Sequence, residues 1–326
     1  MKYIKIIVLF ILLLISTACF TDLSGPVILS NEYQVNDIYM KIRLKGTVRL
    51  VNKKINHLRL AELSGLAWSE DDKILYALSD KGKLFHLRPK IVDNILVGVN
   101  FKTAFMLRNK KGKKLKHRDS EGLSIFNGAN NISGDSELLI SFERKPRVAR
   151  FSPKGKLLVD YTLPAILTNK KSFYTKNKMF EAVTIHPKLG ILTAPELPMQ
   201  KNNIRPYLVN HAHTIYSFSG KTWTFPAFPT KNSSLVAMET LQDGSILLLE
   251  RAYVSKRKPL IISLKQLWLD TLQIKQIAVF NSHLGWQIDN FEGLTHHQGN
   301  YFFMVSDNNN TPIQQTLLTY FELITD

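Results

Sequence analysis

The chain has 326 residues, and 43 Lys and Arg against 26 Asp and Glu give it a formal net charge of +17. Its hydrophobic content of 44% and aromatic content of 10% suffice for a large core and exclude an intrinsically disordered chain. A single cysteine excludes an internal disulfide, so packing of the core must hold the fold together.

Residues 1–18 have the pattern of a cleaved export signal. Lys2 and Lys5 form a charged start, and an apolar run follows from Ile6 to Ile15. This run is too short to span a bilayer, which needs about 20 residues. We therefore expect an exported protein.

The lone cysteine follows three small residues, and residues 16–19 resemble the lipobox of bacterial lipoproteins, with Ser16 where an aliphatic residue is usual. This predicts lipidation of Cys19, a tether over residues 19–30, and an anchor at the outer membrane or cell surface. The alternative is ordinary cleavage after Ala18, since Ser16-Thr17-Ala18 also fits a small-x-small site, and a periplasmic or secreted protein.

Five segments of the remaining chain share one pattern, in which a polar or acidic residue opens a strand-like run and an acidic residue closes the next run. The opening residues lie 57, 60, 58 and 53 residues apart: Ser64, Glu121, Glu181, Glu239 and Glu292. A fixed period with strand-like units is typical of a β-propeller. We predict one all-β propeller domain over residues 31–326, with five blades; six is the alternative.

Each repeat divides into four runs that are rich in β-branched and aromatic residues and bounded by turn residues. Only residues 263–272 suggest a short helix. The fifth repeat has three runs before the chain ends. We expect residues 40–51 or 57–63 to supply its outer strand, because this pairing closes the ring and removes free strand edges. A sixth blade within residues 30–63 is the alternative.

The recurring acids have a geometric meaning in such a blade. The first strand lines the central channel and the second runs antiparallel beside it, so the start of one and the end of the other share a rim, about 4.8 Å apart. The predicted inner ring of metal ligands is Glu121, Glu181, Glu239 and Glu292. The predicted second ring of ligand-binding residues is Asp80, Glu143, Arg144, Glu196, Glu250, Arg251, Asp307 and Asn308.

So many carboxylates repel one another unless some are protonated or a cation neutralises them. Hard oxygen ligands favour Ca²⁺ or Mg²⁺, and Ca²⁺ is the predicted cofactor. The alternative is that each acid caps a turn or pairs with Arg or a backbone amide.

The motifs SGL…LSDK, DSEGL…SFER, FEAVT, LLLER and NFEGLT…VSDNN together resemble the phytase-like family, called esterase-like activity of phytase, over about residues 60–326. The matching elements are Glu121-Gly122-Leu123, Glu292-Gly293-Leu294, Glu250-Arg251 and Asp307-Asn308. The departures are Ser64, Ala182 and Thr240. The resemblance implies ester or phosphoester hydrolysis.

Two functions follow from these patterns. The first is a Ca²⁺-assisted hydrolase that acts on a small-molecule ester or phosphate at the acidic mouth, with a Glu as general base. The second is a non-catalytic propeller that binds a ligand, a glycan or an envelope protein. No G-x-S-x-G or H-E-x-x-H motif is present, and the paired positions His211 and His213 are interpreted as loop or surface residues. We expect a monomer that does not bind nucleic acid, because the basic runs are typical of solvated loops.

Overall fold

The computed structural model describes residues 24–324 except 52, 176–177, 201–203, 205–207 and 256. The predicted export signal and Cys19 lie outside the described residues. Five antiparallel sheets form a ring, which confirms the predicted five-bladed β-propeller. The boundary between tether and propeller at residue 31 stays a prediction; a first short strand, at Gly25–Pro26, lies within the predicted tether.

The first four blades have four strands each, in chain order from the channel outward. Blade 1 comprises β6 (Leu63–Ser69), β7 (Ile74–Ser79), β8 (Lys83–Val92) and β9 (Ile95–Met106). Blade 2 comprises β10 (Ser120–Phe126), β11 (Glu137–Phe142), β12 (Arg147–Phe151) and β13 (Leu157–Asp160). Blade 3 comprises β14 (Phe180–His186), β15 (Gly190–Pro195), β16 (Ala212–Ser217) and β17 (Thr222–Pro226). Blade 4 comprises β18 (Ser233–Thr240), β19 (Ile246–Ala252), β20 (Ile261–Leu267) and β21 (Ile274–Asn281).

Both ends of the chain build blade 5. Its inner strands come from the last repeat, and its outer strands from the first described residues. The strands are β22 (Asn290–His296), β23 (Tyr301–Asp307), β24 (Thr316–Leu323), β3 (Ile42–Leu50), β1 (Gly25–Pro26) and β2 (Ile38–Tyr39). Because β24 pairs antiparallel with β3, the predicted closure through residues 40–51 is confirmed.

The remaining short elements do not add a blade. Strands β4 (Lys54–Ile55) and β5 (Leu58–Arg59) pair only with each other, so the segment 57–63 does not close the ring and a sixth blade is excluded. A four-residue helix, α1 (Ala165–Thr168), and a 3₁₀ turn (Lys170–Ser172) follow blade 2. The helix suggested for residues 263–272 is wrong, because the start of that segment pairs along β19 as β20. No helix in the described part of the chain is long and apolar enough to cross a membrane.

The core of the described residues consists of five hydrophobic clusters, one between each pair of neighbouring blades. Inner strands are covered on both faces, and all seven residues of β6 are buried. Outer strands such as β17 alternate between exposed and buried positions. Because burial decreases from the inner to the outer strands, the sequences of the inner strands are continuous apolar runs with only one or two polar positions.

The inner strands approach one another most closely at a single small residue in each blade. These residues are Gly65, Gly122, Ala182, Ala237 and Gly293. A Cβ atom on Gly122 would lie 2.5 Å from the carbonyl oxygen of Glu181 and 2.7 Å from the Oγ of Ser141. The glycine that follows the acidic residue in the repeat is therefore required by the narrow channel.

The small residues and the residues that follow them in the inner strands together line a cavity of only about 10 Å³. The following residues are Leu66, Leu123, Val183, Met238 and Leu294. The acidic positions lie one residue before the small residue, so they face a blind mouth instead of an open pore.

Gly122→Ala is expected to destabilise the fold by about 1–3 kcal/mol or more, because the backbone of Glu181 cannot move without displacing blade 3. Chemical unfolding measures the loss. Gly98→Ala is the matched control, since the nearest atom to its new Cβ would be 3.9 Å away. Equal stabilities for the two variants would contradict this account of the channel.

Candidate functional site

The strand register aligns the inner positions of the mouth. In every inner strand a bulge interrupts the pairing near the rim, and it contains Ser64, Glu121, Glu181, Val236 or Glu292. The spacings of these residues are 57, 60, 55 and 56, more even than the spacings of the acids. Three of the predicted inner acids therefore share the ring.

Glu239 does not lie in this ring. It stands three residues further along β18, where Val236 takes the bulged position. Burial raises the pKa of Glu239 to about 8, although the backbone amide of His296 donates a hydrogen bond to it. The prediction that placed Glu239 at the inner position of blade 4 was wrong. The feature that recurs in every blade is the small residue after the bulge, which in blade 4 is Ala237.

The second ring shows a similar offset in blade 4. In blades 1 to 3 the predicted acid comes directly after the last residue of the second strand; these acids are Asp80, Glu143 and Glu196. The backbone amide of each donates to the carbonyl oxygen of the residue just before the first strand of the same blade. Asp307 holds the same position in blade 5, opposite Asn290. In blade 4 the position belongs to Arg251, which pairs with Ser234.

Glu250 therefore faces away from the mouth, because adjacent strand residues point to opposite sides. Its carboxylate lies 2.9 Å from the Nζ of Lys265 and accepts a 2.9 Å hydrogen bond from the amide of Phe228. His213 lies 3.6 Å from it in β16, and His211 lies in the loop before that strand. Both are buried, so the surface alternative is wrong for both and the loop alternative holds for His211. Burial lowers the pKa of His213, which is therefore neutral beside the Glu250–Lys265 pair.

Three carboxylates of the mouth converge, and we call Glu143, Glu181 and Glu196 the acidic triad. One oxygen from each lies within 4.8 Å of the others. Glu143 is 8% exposed, Glu181 5% and Glu196 2%. Among the described residues, no donor hydrogen-bonds to the carboxylates of Glu143 and Glu181. Two buried carboxylates without a donor are unusual, since burial of an unpaired charge is costly.

Two cations lie beside the acidic triad. Arg251 donates from Nη2 to Glu196 at 3.0 Å and from Nη1 to Glu292 and Asn290. The Nζ of Lys178 lies 2.5 Å from the same oxygen of Glu196. Protein cations thus bond directly to Glu196 and Glu292, whereas none among the described residues bonds directly to Glu143 or Glu181.

The crowding of carboxylates raises the pKa of the unpaired ones. Burial and then the neighbouring Glu196 raise the pKa of Glu143 to about 7. Burial followed by Glu196 and Glu292 raises the pKa of Glu181 well above its usual value. The pKa of Glu121 is also raised well above its usual value, by burial and then by the charges of Glu181 and Glu143. The side chain of Glu121 is nevertheless partly exposed. A pKa of about 7 lets Glu143 exchange protons near neutral pH, and carboxyl groups with raised pKa values are typical of functional sites.

The other predicted ligand-binding residues lie around this centre. Burial and the nearby Glu292 raise the pKa of Asp307 to about 8. Asp80 lies 2.5 Å from the Nζ of Lys81. Arg144 has a side chain 59% exposed and is 3.8 Å from Asp119, so it does not enter the mouth. Asn308 is a turn residue, whose Oδ1 accepts from the amide of Glu62 at 3.1 Å.

Comparison of the native protein with the Glu143→Gln variant tests whether the pKa of Glu143 in the acidic triad is raised. A carboxyl group with a raised folded pKa binds more protons folded than unfolded, so its contribution to stability falls as pH rises between the two values. For Glu143 this window runs from about 4.5 to about 7. In EDTA, Glu143→Gln should therefore be more stable than the native protein at pH 8, and lose this advantage toward pH 4.5. A difference in melting temperature that is independent of pH would contradict the raised pKa.

A cleft of about 820 Å³ opens beside the acidic triad, between blades 3, 4 and 5. Lys178, Arg251 and Asn290 line it and also contact the carboxylates of the mouth. A ligand in the cleft would therefore meet the mouth. Sequence reasoning missed Lys178, which lies in a loop without a recurring pattern. Asn290 had a signal, since it lies two residues before Glu292 on the same face of β22.

A closed propeller with buried carboxylates converging at one mouth defines the class of this protein: a β-propeller with a candidate cation site at its central channel. The model of the phytase-like family, described as esterase-like activity of phytase, matches residues 58–310. The chain belongs to this family.

Comparison with curated proteins gives no match. Among solved structures, the chain is similar to a gluconolactonase from Xanthomonas campestris, with 12% identity, a TM-score of 0.41, and coverage of 90% of this chain and 99% of that one. A likeness at this level does not extend to activity or substrate.

Proposed function

We propose that the protein is a Ca²⁺-dependent hydrolase of small-molecule esters or phosphoesters, with its active site at the acidic mouth. The observation that carries the proposal is the acidic triad, in which three buried carboxylates converge and the described residues supply no hydrogen-bond donor to two of them. Membership of a family described by esterase-like activity supports the reaction class.

The triad fits a hard cation. Two oxygens bound to one Ca²⁺ at about 2.3–2.6 Å can be at most about 5 Å apart. The triad oxygens meet this limit without movement, since all lie within 4.8 Å of one another. Carboxylate oxygens are also the donors that Ca²⁺ prefers to softer metals. Glu143, Glu181 and Glu196 would therefore hold the ion.

A bound Ca²⁺ supplies a Lewis acid that polarises an ester or phosphoryl oxygen and lowers the pKa of water. Glu121 is partly exposed and has a raised pKa, so it is suited to accept the proton of the attacking water. Arg251 and Lys178 face the adjoining cleft and stabilise negative charge that develops on the substrate.

Hydrolysis of 4-nitrophenyl phosphate and 4-nitrophenyl acetate, each with Ca²⁺ or EDTA, tests the proposal. We expect turnover of at least one ester in Ca²⁺, loss of it in EDTA, and a decrease of about 10²–10⁴-fold in Glu121→Gln, the usual contribution of a general base. Activity that is unaffected by both EDTA and Glu121→Gln would contradict the mechanism.

The second candidate is a propeller that binds a ligand without reaction. The described residues that contact the triad include no Ser–His pair that could act as nucleophile and base, which favours this candidate. The charged residues that contact the triad are Lys178 and Arg251. Ca²⁺ binding without turnover of either ester would support it.

We also propose that lipid on Cys19 holds the mature protein at the outer membrane or cell surface, as the lone cysteine after a short apolar run suggests. Cys19→Ala should move the protein from the membrane fraction to the soluble fraction and abolish incorporation of labelled palmitate. Unchanged fractionation and no label in the native protein would reject the anchor.

A further inference from the structure

The cleft beside the acidic triad has a composition unlike that of the mouth. Its described lining includes three cationic side chains, Lys178, Arg251 and Lys258, and no Asp or Glu. The mouth presents negative charge, and the cleft next to it presents positive charge. The two halves of the site therefore suit different parts of a ligand.

The three cations differ in how far the protein neutralises them. Lys178 and Arg251 both contact Glu196. Lys258 is exposed, and the described part of the chain shows no ion pair for it. Lys258 is thus the cation whose charge is available to a ligand at the entrance of the cleft.

The same entrance exposes apolar side chains. Ile313 is 77% exposed and Tyr253 50% exposed, and both line the cleft. Leu197 and Leu208 continue the apolar lining as buried residues. Apolar surface that spans the entrance and the interior of one cleft is typical of a binding site for an organic molecule.

We propose that the cleft binds substrates that combine an apolar body with an acidic group, the acidic group pairing with Lys258 and the apolar body packing on Tyr253 and Ile313. This inference rests on the proposed function, because it places the scissile ester of such a substrate next to Arg251 and the acidic triad. A densely charged polyanion would leave the apolar surface of Tyr253 and Ile313 uncovered, and two of the three cations already pair with Glu196. The substrate class is therefore an amphipathic organic ester with one anionic group.

Two fluorescent probes separate the charge from the apolar body. 1-Anilinonaphthalene-8-sulfonate and N-phenyl-1-naphthylamine share their aromatic rings, and only the first carries a sulfonate. We expect the sulfonate probe to bind the native protein at one site, about fivefold tighter than the neutral probe, as for one exposed ion pair. Lys258→Gln should remove this preference, and Ile313→Asp should weaken both probes.

Lys154→Gln is the matched control, since it removes an exposed lysine of blade 2 that lies outside the cleft, and it should leave both affinities unchanged. Equal affinity of the two probes for the native protein, or a preference that survives Lys258→Gln, would overturn the inference. Stabilisation by Ca²⁺ in the same preparations tests the proposed function separately. If the preference holds and Ca²⁺ has no effect, the ligand class stands and the catalytic proposal fails.

Discussion

Glu181→Gln is expected to raise the melting temperature of the metal-free protein at pH 8 and to abolish the further rise that Ca²⁺ gives the native protein. The carboxylate is 5% exposed, accepts no hydrogen bond from the described residues and lies among other acids, so its ionised form destabilises the metal-free fold. A cation that binds only the folded state stabilises it by about 2.7 kcal/mol at 100 times its dissociation constant. Loss of a triad ligand removes that stabilisation. Thermal unfolding in EDTA and in Ca²⁺ measures both effects.

Glu239→Gln is the matched control for this experiment. Glu239 is a half-buried acid with a raised pKa, but it lies outside the ring of the mouth. Its substitution should change stability equally in EDTA and in Ca²⁺. If Glu181→Gln behaves in the same way, or if it destabilises the protein in both buffers, the acidic triad does not bind the metal.

Arg251→Met is expected to destabilise the metal-free protein by about 3–5 kcal/mol, the usual effect of removing one partner from a buried ion pair. The substitution leaves the carboxylates of Glu196 and Glu292 in the mouth without the guanidinium that now bonds to both. Burial alone would lower the pKa of Arg251, but Glu292 and Glu196 raise it, so the charge is retained at all accessible pH values. Urea unfolding at pH 7.5 in EDTA measures the loss.

Two comparisons separate this charge effect from a packing effect. Arg144→Met removes an exposed arginine of blade 2 and should cost less than about 1 kcal/mol. Adding Glu292→Gln to Arg251→Met should recover part of the loss, because it removes one of the unpaired charges. A small effect of Arg251→Met, or no recovery in the double variant, would show that the guanidinium does not neutralise the mouth.

The acids of blades 1, 2, 3 and 5 were predictable because each stands at a fixed place in a repeat of strand pairs. Blade 4 was misaligned since it has Val236 and Arg251 where the other blades have polar or acidic residues. The signal that identifies its register is the small residue followed by an apolar one, Ala237 and Met238, because the narrow channel constrains that pair in every blade. The rim residues are free of this steric constraint and can vary.

The sequence by itself determined the strand repeat and the side of the ring that carries the acids. It left five or six blades and closure by residues 40–51 or 57–63 as alternatives, and the structure selected five blades and residues 40–51. These features follow from local periodicity and from the need to pair every strand edge. Only the tertiary structure decided which acids meet. Glu143, Glu181 and Glu196 come from two blades, and Arg251 reaches them from a third. Their convergence depends on the distances between residues of different blades. The residue pattern within a single strand does not specify these distances. The same holds for Glu250, because a shift of one residue along a strand turns a side chain from the mouth to the interior.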